Sequence, residues 1–421
     1  MNLLHLQLNS STLLLAGDFR ESGRSVVAAL GWTGAMNNAL SASLDEMLAK
    51  VRRLAPLVAE HRNAIERERR LPDAVFAACA DAGLFRLWLP KALGGPELSP
   101  LEFMEVVEAA AELDGSVGWI VGNGGGMSRV AGYLPEAAAR ALFASPHAFV
   151  VSATGAVGTA VPVDGGYRVS GRWPFGSGAH HATHFMGLCQ VAGGAGGKDV
   201  QTLCCYFPRE NVTIIDNWHV SGLRGTGSCD FEVSDLIVPS AHTHAFPDHR
   251  PTQPGLVYRL PAVSTFSWTV SVVPLGIVRA AITAFAEMAE GKVRVGTSLP
   301  LREREVIQSE FGRVSVHLAA ARALLREAMG ELTAAPDAGG ERLLRARAAL
   351  RAACAHAAET AVAIVGRLAA AAGAVAIFET NRLERCVRDV HAAVKHVSMS
   401  SNNYVISGRV GLGLPPGTNR L

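Results

Sequence analysis

The last 32 residues of this 421-residue chain contain two histidines and no carboxylate side chain. His391 and His396 follow the pair Arg388-Asp389, and residues 390–421 include neither aspartate nor glutamate. A reaction that needs a carboxylate base would have to take it from elsewhere in the chain. Five upstream glutamates are possible substitutes: Glu287, Glu290, Glu303, Glu305 and Glu310. Histidine titrates near neutral pH and therefore suits proton transfer.

On a continuous helix, the step of five positions from His391 to His396 corresponds to about 140° of rotation. The two imidazoles are therefore not expected to face one pocket.

Two glycine-containing segments are suited to a close approach of backbone to a flat group. A strand-like stretch ends in Phe175-Gly176-Ser177-Gly178, and glycine has no side chain to obstruct such an approach. The loop 222–228 combines glycines with small hydroxyl residues, which either cradle a ligand or turn the chain between strands. The run 122–126 is neither a dinucleotide fingerprint after a strand nor a phosphate loop, so a nicotinamide-binding fold is not expected.

Histidine and cysteine positions argue against a metal site. His180, His181 and His184 are close in sequence, but only Cys189 lies nearby as a further ligand type. The seven cysteines form no C-x-x-C pair, and we expect reduced, buried thiols in a cytoplasmic protein.

The composition limits the classes of partner. The formal net charge of +2 argues against the concentrated basic surface that nucleic-acid binding requires. Charged residues make up 18% of the chain, below the roughly 25% that is typical, which indicates either a large core or surface buried between subunits, and we favour the second explanation. The apolar stretches 258–278 and 361–378 are interrupted by polar residues and indicate buried helices rather than membrane spans.

The chain divides into helical, strand-rich and helical parts. Residues 1–40 have no stable period and are expected to be a loose leader, whereas 41–147 show helical periodicity. Residues 148–250 contain short β-branched and aromatic runs between glycine turns, and 251–421 contain long alanine-rich segments. The predicted fold class is α+β multidomain, with an N-terminal helical domain, a central β-barrel-like domain and a C-terminal four-helix bundle.

Individual elements follow from the same patterns. The predicted strands are 149–154, 167–172, 185–191, 202–208, 212–217 and 231–239. The predicted long helices of the last part are 263–290, 301–334, 341–372 and 374–399.

Four motifs occur in a distinctive order within this frame: Gly115–Trp119, Trp173–Gly178, Trp218–Ser228 and Arg388–His396. Together they resemble the acyl-CoA dehydrogenase superfamily, and more closely its flavin-dependent monooxygenase branch. The similarity covers about residues 45–421. This branch includes the oxygenase components of two-component phenol, steroid-phenol and dibenzothiophene oxygenases.

The resemblance implies reduced FMN or FAD as the cofactor, bound between the β domain and the C-terminal helices of a homotetramer. Reduced flavin reacts with oxygen to give a C4a-(hydro)peroxide, which hydroxylates or oxidises an aromatic or other electron-rich small molecule. Since no nicotinamide fold is expected, a separate NAD(P)H-dependent flavin reductase would supply the reduced flavin. No nucleic acid or membrane partner is expected.

The resemblance also suggests roles for particular residues. His396 is expected to steady the oxygen adduct and move protons, with Asn123 as a further donor and Ser177 near the flavin N5 or O4. Phe175 would pack on the ring system, and Arg294 would reach the cofactor phosphate of a neighbouring subunit. The expected flavin-binding residues are Trp119, Asn123, Ser128, Phe175, Ser177, Trp218, Arg294 and His396.

Five of these residues also have a structural explanation. His396 suits a subunit contact, and Ser177 an ordinary β turn. Asn123 suits a helix cap or turn, Trp218 an aromatic core, and Arg294 a solvated helix end.

Two other functions remain open at this point. In much of the acyl-CoA dehydrogenase family, a glutamate base follows an Arg-Asp pair by seven or eight residues. Here His396 and Val397 occupy those positions, which puts dehydrogenation of a thioester in doubt. The other alternative is a flavin-free binding scaffold.

Overall fold

The computed structural model describes residues 42–193, 201–247, 250–336 and 339–418, so the expected leader 1–40 lies outside them. The N-terminal helices pack through one hydrophobic core with the start of the β region. They are α1 (Ala42–Arg53), α2 (Ala55–Glu68), α3 (Asp73–Asp81), α4 (Pro100–Leu113), α5 (Gly115–Met127) and α6 (Glu136–Leu142). α4 begins with a capping box, because Ser99 Oγ accepts from the Glu102 N–H and the Glu102 carboxylate accepts from the Ser99 N–H.

The glycine run 122–126 lies within α5, where it allows close helix packing. A Cβ atom on Gly122 would lie 2.3 Å from the Thr269 carbonyl oxygen, and one on Gly126 would lie 2.3 Å from Thr269 Cγ2. Thr269 belongs to α8 (Ala262–Ser271), so a larger residue would force the two helices apart. The run therefore positions Trp119 and Asn123 on a tightly packed helix.

The central region is a seven-stranded open sheet with the order β5-β6-β2-β1-β3-β4-β7. β1 and β3 are parallel, and the other neighbouring strands are antiparallel. The strands are β1 (Val150–Val163), β2 (Gly166–Gly176), β3 (His184–Val191), β4 (Thr202–Pro208), β5 (Thr213–Ile215), β6 (Cys229–Pro239) and β7 (Thr243–Phe246). The predicted barrel-like closure is wrong, because the short edge strands β5 and β7 each pair with one neighbour and not with each other.

The six predicted strands are confirmed, with differences in extent. β1 continues to Val163 despite Gly155, Gly158 and Pro162, because its second half pairs with β2. β7 is absent from the prediction, since four residues are too few to show an alternating pattern.

The indole of Trp173 fixes the strand that leads to the candidate site. It is fully buried, and its Nε1–H donates to the Leu188 carbonyl oxygen at 2.9 Å. Cβ atoms on Gly158, Gly171 and Gly187 would lie 2.5, 2.7 and 2.6 Å from this indole. Three strands thus leave room for one large ring, which holds the end of β2 in place.

The C-terminal region is helical, and its longest helix packs against the others. Beyond α8 and the short α7 (Leu256–Arg259), the helices are α9 (Val273–Gly291), α10 (Glu305–Ala334), α11 (Gly340–Ala372), α12 (Arg382–Ala393) and α13 (Asn402–Gly411). α11 contacts α9, α10, α12 and α13.

Two of the predicted long helices, 301–334 and 341–372, are confirmed in outline. The predicted helix 263–290 divides at Val272, with Pro274 in the first turn of α9. The predicted helix 374–399 divides into a 3-10 turn, α12 and a second 3-10 turn at Val397–Met399.

Among the residues that the structure describes, two helical stretches are long and apolar enough to cross a membrane on length and composition alone. In Ala262–Gly291, 78% of the apolar window is buried, as in the core helices of many soluble proteins. In Gly340–Ile377 the corresponding share is 28%, so an alanine-rich face is uncovered in the single chain.

Candidate functional site

Three predicted site residues from distant parts of the chain meet at one place. Trp119 lies on α5, Ser177 follows β2, and His396 precedes the 3-10 turn at Val397–Met399. The Trp119 Nε1–H donates to Ser177 Oγ at 3.0 Å, and the Trp119 and His396 ring centroids are 5.8 Å apart with planes at 73°. Trp119 and Ser177 are buried, and His396 is partly buried.

The imidazole of His396 is held in one tautomer by Ser398. The Ser398 backbone N–H donates to His396 Nδ1 at 3.3 Å, and Ser398 Oγ lies 2.6 Å from the same nitrogen. Because a backbone N–H can only donate, Nδ1 is the acceptor and the neutral ring carries its proton on Nε2. Burial lowers the pKa of His396 to about 4. The expectation of a group titrating near neutrality is therefore corrected to a neutral imidazole with one N–H donor.

The angular argument about His391 and His396 does not apply to this fold. α12 ends at Ala393, so His396 is not on the helix that carries His391. His391 is exposed in the last turn of α12, whereas His396 packs against Trp119.

The lowered pKa of His396 predicts a loss of stability in acid. The unfolded chain protonates this imidazole below about pH 6.5, whereas the folded chain keeps it neutral until about pH 4. Proton uptake by the unfolded state therefore lowers the free energy of unfolding as the pH falls from about 6.5 to 4. We expect His396→Gln to lose less stability than the wild type over this window in urea titrations of flavin-free protein. His391→Gln serves as the exposed control, and equal pH slopes for His396→Gln and the wild type would contradict the prediction.

Phe175 presents a large apolar ring beside Trp218. Its φ is +64°, an unusual conformation for a bulky residue, and its side chain is 65% exposed. The rings of Phe175 and Trp218 meet edge to face with centroids 6.3 Å apart. Such an outlier with an uncovered aromatic ring indicates a place where a flat ligand packs.

The loop 222–228 is docked on α12 by direct backbone contact. A Cβ atom on Gly222 would lie 2.1 Å from the Arg388 carbonyl oxygen, so only glycine fits. The next residue, Leu223, has a φ of +52°, and its N–H donates to Asp389 Oδ1 at 2.6 Å. The Arg388-Asp389 pair therefore positions the loop.

Arg385 is the cation at the centre of this buried junction. Its Nη2 lies 2.8 Å from Asp114 Oδ2, and its Nε lies 3.7 Å from Asp389 Oδ2. Asp114 also caps α5, because its Oδ1 accepts from the Ser116 N–H at 2.9 Å. Burial raises the pKa of Asp389 to about 7, an effect that Arg385 opposes and Asp114 increases.

Two predicted site residues are bonded to nearby backbone. Asn123 is partly buried, and its Nδ2 donates to the Trp119 carbonyl oxygen at 2.9 Å, one turn earlier on α5. Ser128 is fully buried, and its Oγ accepts from the Trp88 N–H and donates to the Gly125 carbonyl oxygen. Asn123 therefore adjoins the site through Trp119, whereas the hydroxyl of Ser128 belongs to the core.

Arg294 lies apart from these contacts in the single chain. It is exposed between α9 and α10, and its Nη2 lies 3.4 Å from the Ala371 carbonyl oxygen.

The segment 180–184, whose histidines are close together in sequence, has structural contacts. His181 Nε2 bonds to the Leu71 carbonyl oxygen at 2.8 Å, and its ring stacks on Phe76. Within the described ranges, no group of three His, Cys, Asp or Glu residues is arranged to hold a metal ion.

Two residues without an assigned role in the sequence analysis extend the site. Ser177 Oγ lies 2.9 Å from Ser228 Oγ, which lies 2.7 Å from Thr226 Oγ1. The only sequence signal was the Thr-Gly-Ser stretch in a loop that suited either a cradle or a turn.

Comparison with known proteins identifies the family. Models of the acyl-CoA dehydrogenase N-terminal and C-terminal domains match residues 41–138 and 268–401. The flavin-dependent monooxygenase oxygenase subunit HsaA of Mycobacterium tuberculosis is 30% identical over 388 residues, covering 89% of this chain and 97% of the relative. The chain belongs to the acyl-CoA dehydrogenase superfamily.

Further relatives place this superfamily member in the flavin-dependent monooxygenase branch. Indole-3-acetate monooxygenase of Pseudomonas putida is 29% identical over 354 residues, which are 83% of this chain and 90% of the relative. The structure of XiaF from Streptomyces sp. in complex with FADH2 and glycerol has a TM-score of 0.81 and 28% identity. That match covers 90% of this chain and 98% of XiaF.

The observed side chains of this monooxygenase-branch protein fit a flavin. Phe175 and Trp218 offer aromatic surface to a flat ring. Ser177, two residues after Phe175, and His396 supply polar atoms. This combination of apolar walls and few polar groups is typical of cofactor sites.

Proposed function

We propose that this chain is the oxygenase component of a two-component flavin-dependent monooxygenase. It would use reduced FMN or FAD and O2 to hydroxylate or oxidise an aromatic or similarly electron-rich small molecule. The observation that carries the proposal is the meeting of Trp119, Ser177 and His396, with the exposed Phe175 two residues before Ser177 in the chain. Bound reduced flavin supplies the electrons that activate oxygen.

The protein's own task is to bind, orient and keep the reacting centre dry. Phe175 and Trp218 pack on the flavin, and the buried pair Trp119–Ser177 excludes water at its edge. The neutral His396 offers its Nε2–H as a hydrogen-bond donor, since Ser398 occupies Nδ1. Asn123, whose Nδ2 bonds to Trp119, adjoins the same region.

The surroundings of Asp114, Asp389 and Glu310 disfavour their use as the base of a thioester dehydrogenation. Asp114 and Asp389 are buried near the loop 222–228, but they accept backbone N–H bonds and face Arg385. Among the upstream glutamates, Glu310 is paired with Arg367 at 2.8 Å. Neither arrangement resembles a free carboxylate base beside a flavin.

The same proposal includes a quaternary structure and a reductase partner. α11 contacts α9, α10 and α12, which supports a four-helix bundle, and its uncovered alanine-rich face supports assembly into a homotetramer. In that assembly, exposed Arg294 would reach a neighbouring subunit's cofactor. A separate NAD(P)H-dependent reductase would deliver reduced flavin, and the seven free, buried cysteines support a cytoplasmic location.

An experiment with chemically defined reduced flavin tests the function without the reductase. The purified chain is mixed anaerobically with photoreduced FMN or FAD, and then with 18O2 and a panel of phenols and indoles. We expect one 18O atom in the product, and no such product when the chain is omitted. Anaerobic bleaching of oxidised flavin by an acyl thioester would instead indicate a dehydrogenase. Failure to bind either redox form would indicate a scaffold.

A further inference from the structure

A chain of hydrogen bonds runs from Trp119 through three hydroxyl groups to a backbone carbonyl. Its four distances are 3.0 Å from Trp119 Nε1 to Ser177 Oγ, 2.9 Å to Ser228 Oγ, 2.7 Å to Thr226 Oγ1 and 2.9 Å to the Leu223 carbonyl oxygen. All three hydroxyl residues are buried. We name this series the hydroxyl chain.

The two ends of the hydroxyl chain determine the direction of every proton. The indole N–H can only donate, so Ser177 accepts from Trp119, and the Leu223 carbonyl can only accept, so Thr226 donates to it. Each hydroxyl has one proton, and therefore Ser228 donates to Thr226 and Ser177 donates to Ser228. Ser177 has then used its proton and keeps one lone pair that has no partner among the described residues.

The Leu223 end of the hydroxyl chain is held in place from several sides. The Leu223 N–H donates to Asp389 Oδ1 at 2.6 Å. Its carbonyl oxygen also accepts from the Thr226 N–H at 3.1 Å and from Trp218 Nε1 at 3.3 Å. The carbonyl cannot turn without breaking these bonds. The conformation of the loop therefore fixes which hydroxyl donates and which accepts in each hydrogen bond of the hydroxyl chain.

We propose that Thr226 and Ser228 are positioning residues that keep Ser177 a hydrogen-bond acceptor toward the flavin and so select reduced over oxidised flavin. This inference rests on the proposed flavin-dependent function. Reduced flavin carries an N–H at N5, which would match the remaining lone pair of Ser177 where Ser177 lies against N5, as the resemblance implies, whereas the unprotonated N5 of oxidised flavin requires a donor. Ser177 can become that donor only by withdrawing its proton from Ser228, which leaves the buried hydroxyl chain short of one hydrogen bond.

Such selection matters for an oxygenase that takes reduced flavin from solution. Oxidised flavin is present in the same pool and competes for the same aromatic surface at Phe175 and Trp218, which does not distinguish the redox states. A fixed acceptor at Ser177 distinguishes them by the presence or absence of one proton.

A matched pair of substitutions at Thr226 tests the proposal through binding rather than turnover. Thr226→Val removes the hydroxyl at nearly constant volume, so Ser228 can turn its proton to Ser177 and release the Ser177 proton for the flavin. Dissociation constants for oxidised and reduced FMN and FAD are measured by fluorescence titration, the reduced forms under anaerobic conditions. We expect the ratio of the oxidised to the reduced constant to fall roughly three- to tenfold, the effect of one net hydrogen bond. Thr226→Ser, which keeps the hydroxyl, should preserve the ratio.

The same measurement in a Ser177→Ala background shows whether the effect acts through Ser177. There, Thr226→Val should leave the ratio unchanged, because no hydroxyl remains to change direction. If thermal denaturation shows that Thr226→Val is poorly folded, Ser228→Ala is measured in its place. Ser228→Ala also frees the Ser177 proton and should produce the same fall in the ratio. An unchanged ratio in folded Thr226→Val or Ser228→Ala, or an equal fall in the Ser177→Ala background, would overturn the proposal while leaving the flavin function intact. If the wild type binds neither redox form, the proposed function itself fails.

Discussion

The His396→Ala variant is expected to form on the order of a hundredfold less product per reduced flavin, while its affinity for reduced flavin changes little. The imidazole offers a single N–H donor, on Nε2, because Ser398 occupies Nδ1. It also packs edge to face against Trp119, the residue that holds Ser177. Loss of an oriented donor in a desolvated site costs more in the reaction than in the binding of the flavin ring.

The measurement is a single turnover of preformed protein–flavin complex with oxygen and substrate, in which product and hydrogen peroxide are both quantified. His391→Ala, which removes an exposed histidine five positions earlier, is the matched control and should behave like the wild type. His396→Asn restores an N–H donor in part and should recover some product. An unchanged product yield in His396→Ala would rule out the proposed role.

Because the pKa of His396 is about 4, its protonation should not control the product yield between about pH 6 and 8. A wild-type inflection in this range that disappears in His396→Asn would show that the imidazole is charged during the reaction. The same single-turnover experiments, repeated across this pH range, distinguish the two outcomes.

The second large effect concerns folding: Arg385→Met is expected to lower the free energy of unfolding by about 3–5 kcal/mol. The substitution roughly keeps the side-chain volume but removes the cation between Asp114 and Asp389, whose side chains are 2% and 4% exposed. Two carboxylates would then be buried together without compensation. The substitution should also disturb the candidate site. Asp389 accepts a hydrogen bond from the Leu223 N–H, and Asp114 caps the helix that carries Trp119.

Urea denaturation of the flavin-free protein at about pH 8.5, above the pKa of Asp389 in the wild type, measures this effect. Arg388→Met is the control, since Arg388 pairs with Glu66 and Glu384 at partly exposed positions, where an ion pair contributes about 1 kcal/mol or less. Asp389→Asn in the Arg385→Met background should recover part of the loss, because it removes one of the uncompensated charges. A loss of similar size in Arg385→Met and Arg388→Met would contradict the argument.

The pH dependence of this loss has a definite sign. A carboxyl with a raised pKa contributes stability that is present at low pH and disappears as the pH rises through that pKa. Burial already places the pKa of Asp389 at about 7, and removing Arg385 raises it further. The part of the Arg385→Met deficit that comes from Asp389 should therefore be smallest below about pH 6 and grow as the pH rises above about 7, where the carboxyl ionises in the wild type but stays protonated at a cost in the variant.

Elements with a strong local pattern were predictable from the sequence. The strand at Thr202–Pro208 has the predicted bounds, and the long helix α11 differs from its prediction by one residue. Alternation and helical periodicity report which faces are buried within one element, and this information is local. For the same reason, the divisions at Val272 and after Ala393 were missed, since apolar residues continue through the first and no glycine or proline marks the second.

The sequence by itself determined the superfamily, the helical–strand–helical order, the absence of carboxylates after Asp389 and the choice of His396 as a candidate. Only the tertiary structure decided that the sheet is open, that His396 is neutral, and that Ser177 bonds to Trp119 and Ser228, which are 58 and 51 residues away in sequence. The direction of protons along the hydroxyl chain likewise depends on the carbonyl of Leu223 and its attachment to Asp389. Desolvation and hydrogen-bond direction arise from contacts between distant segments, and no local pattern of residues encodes them.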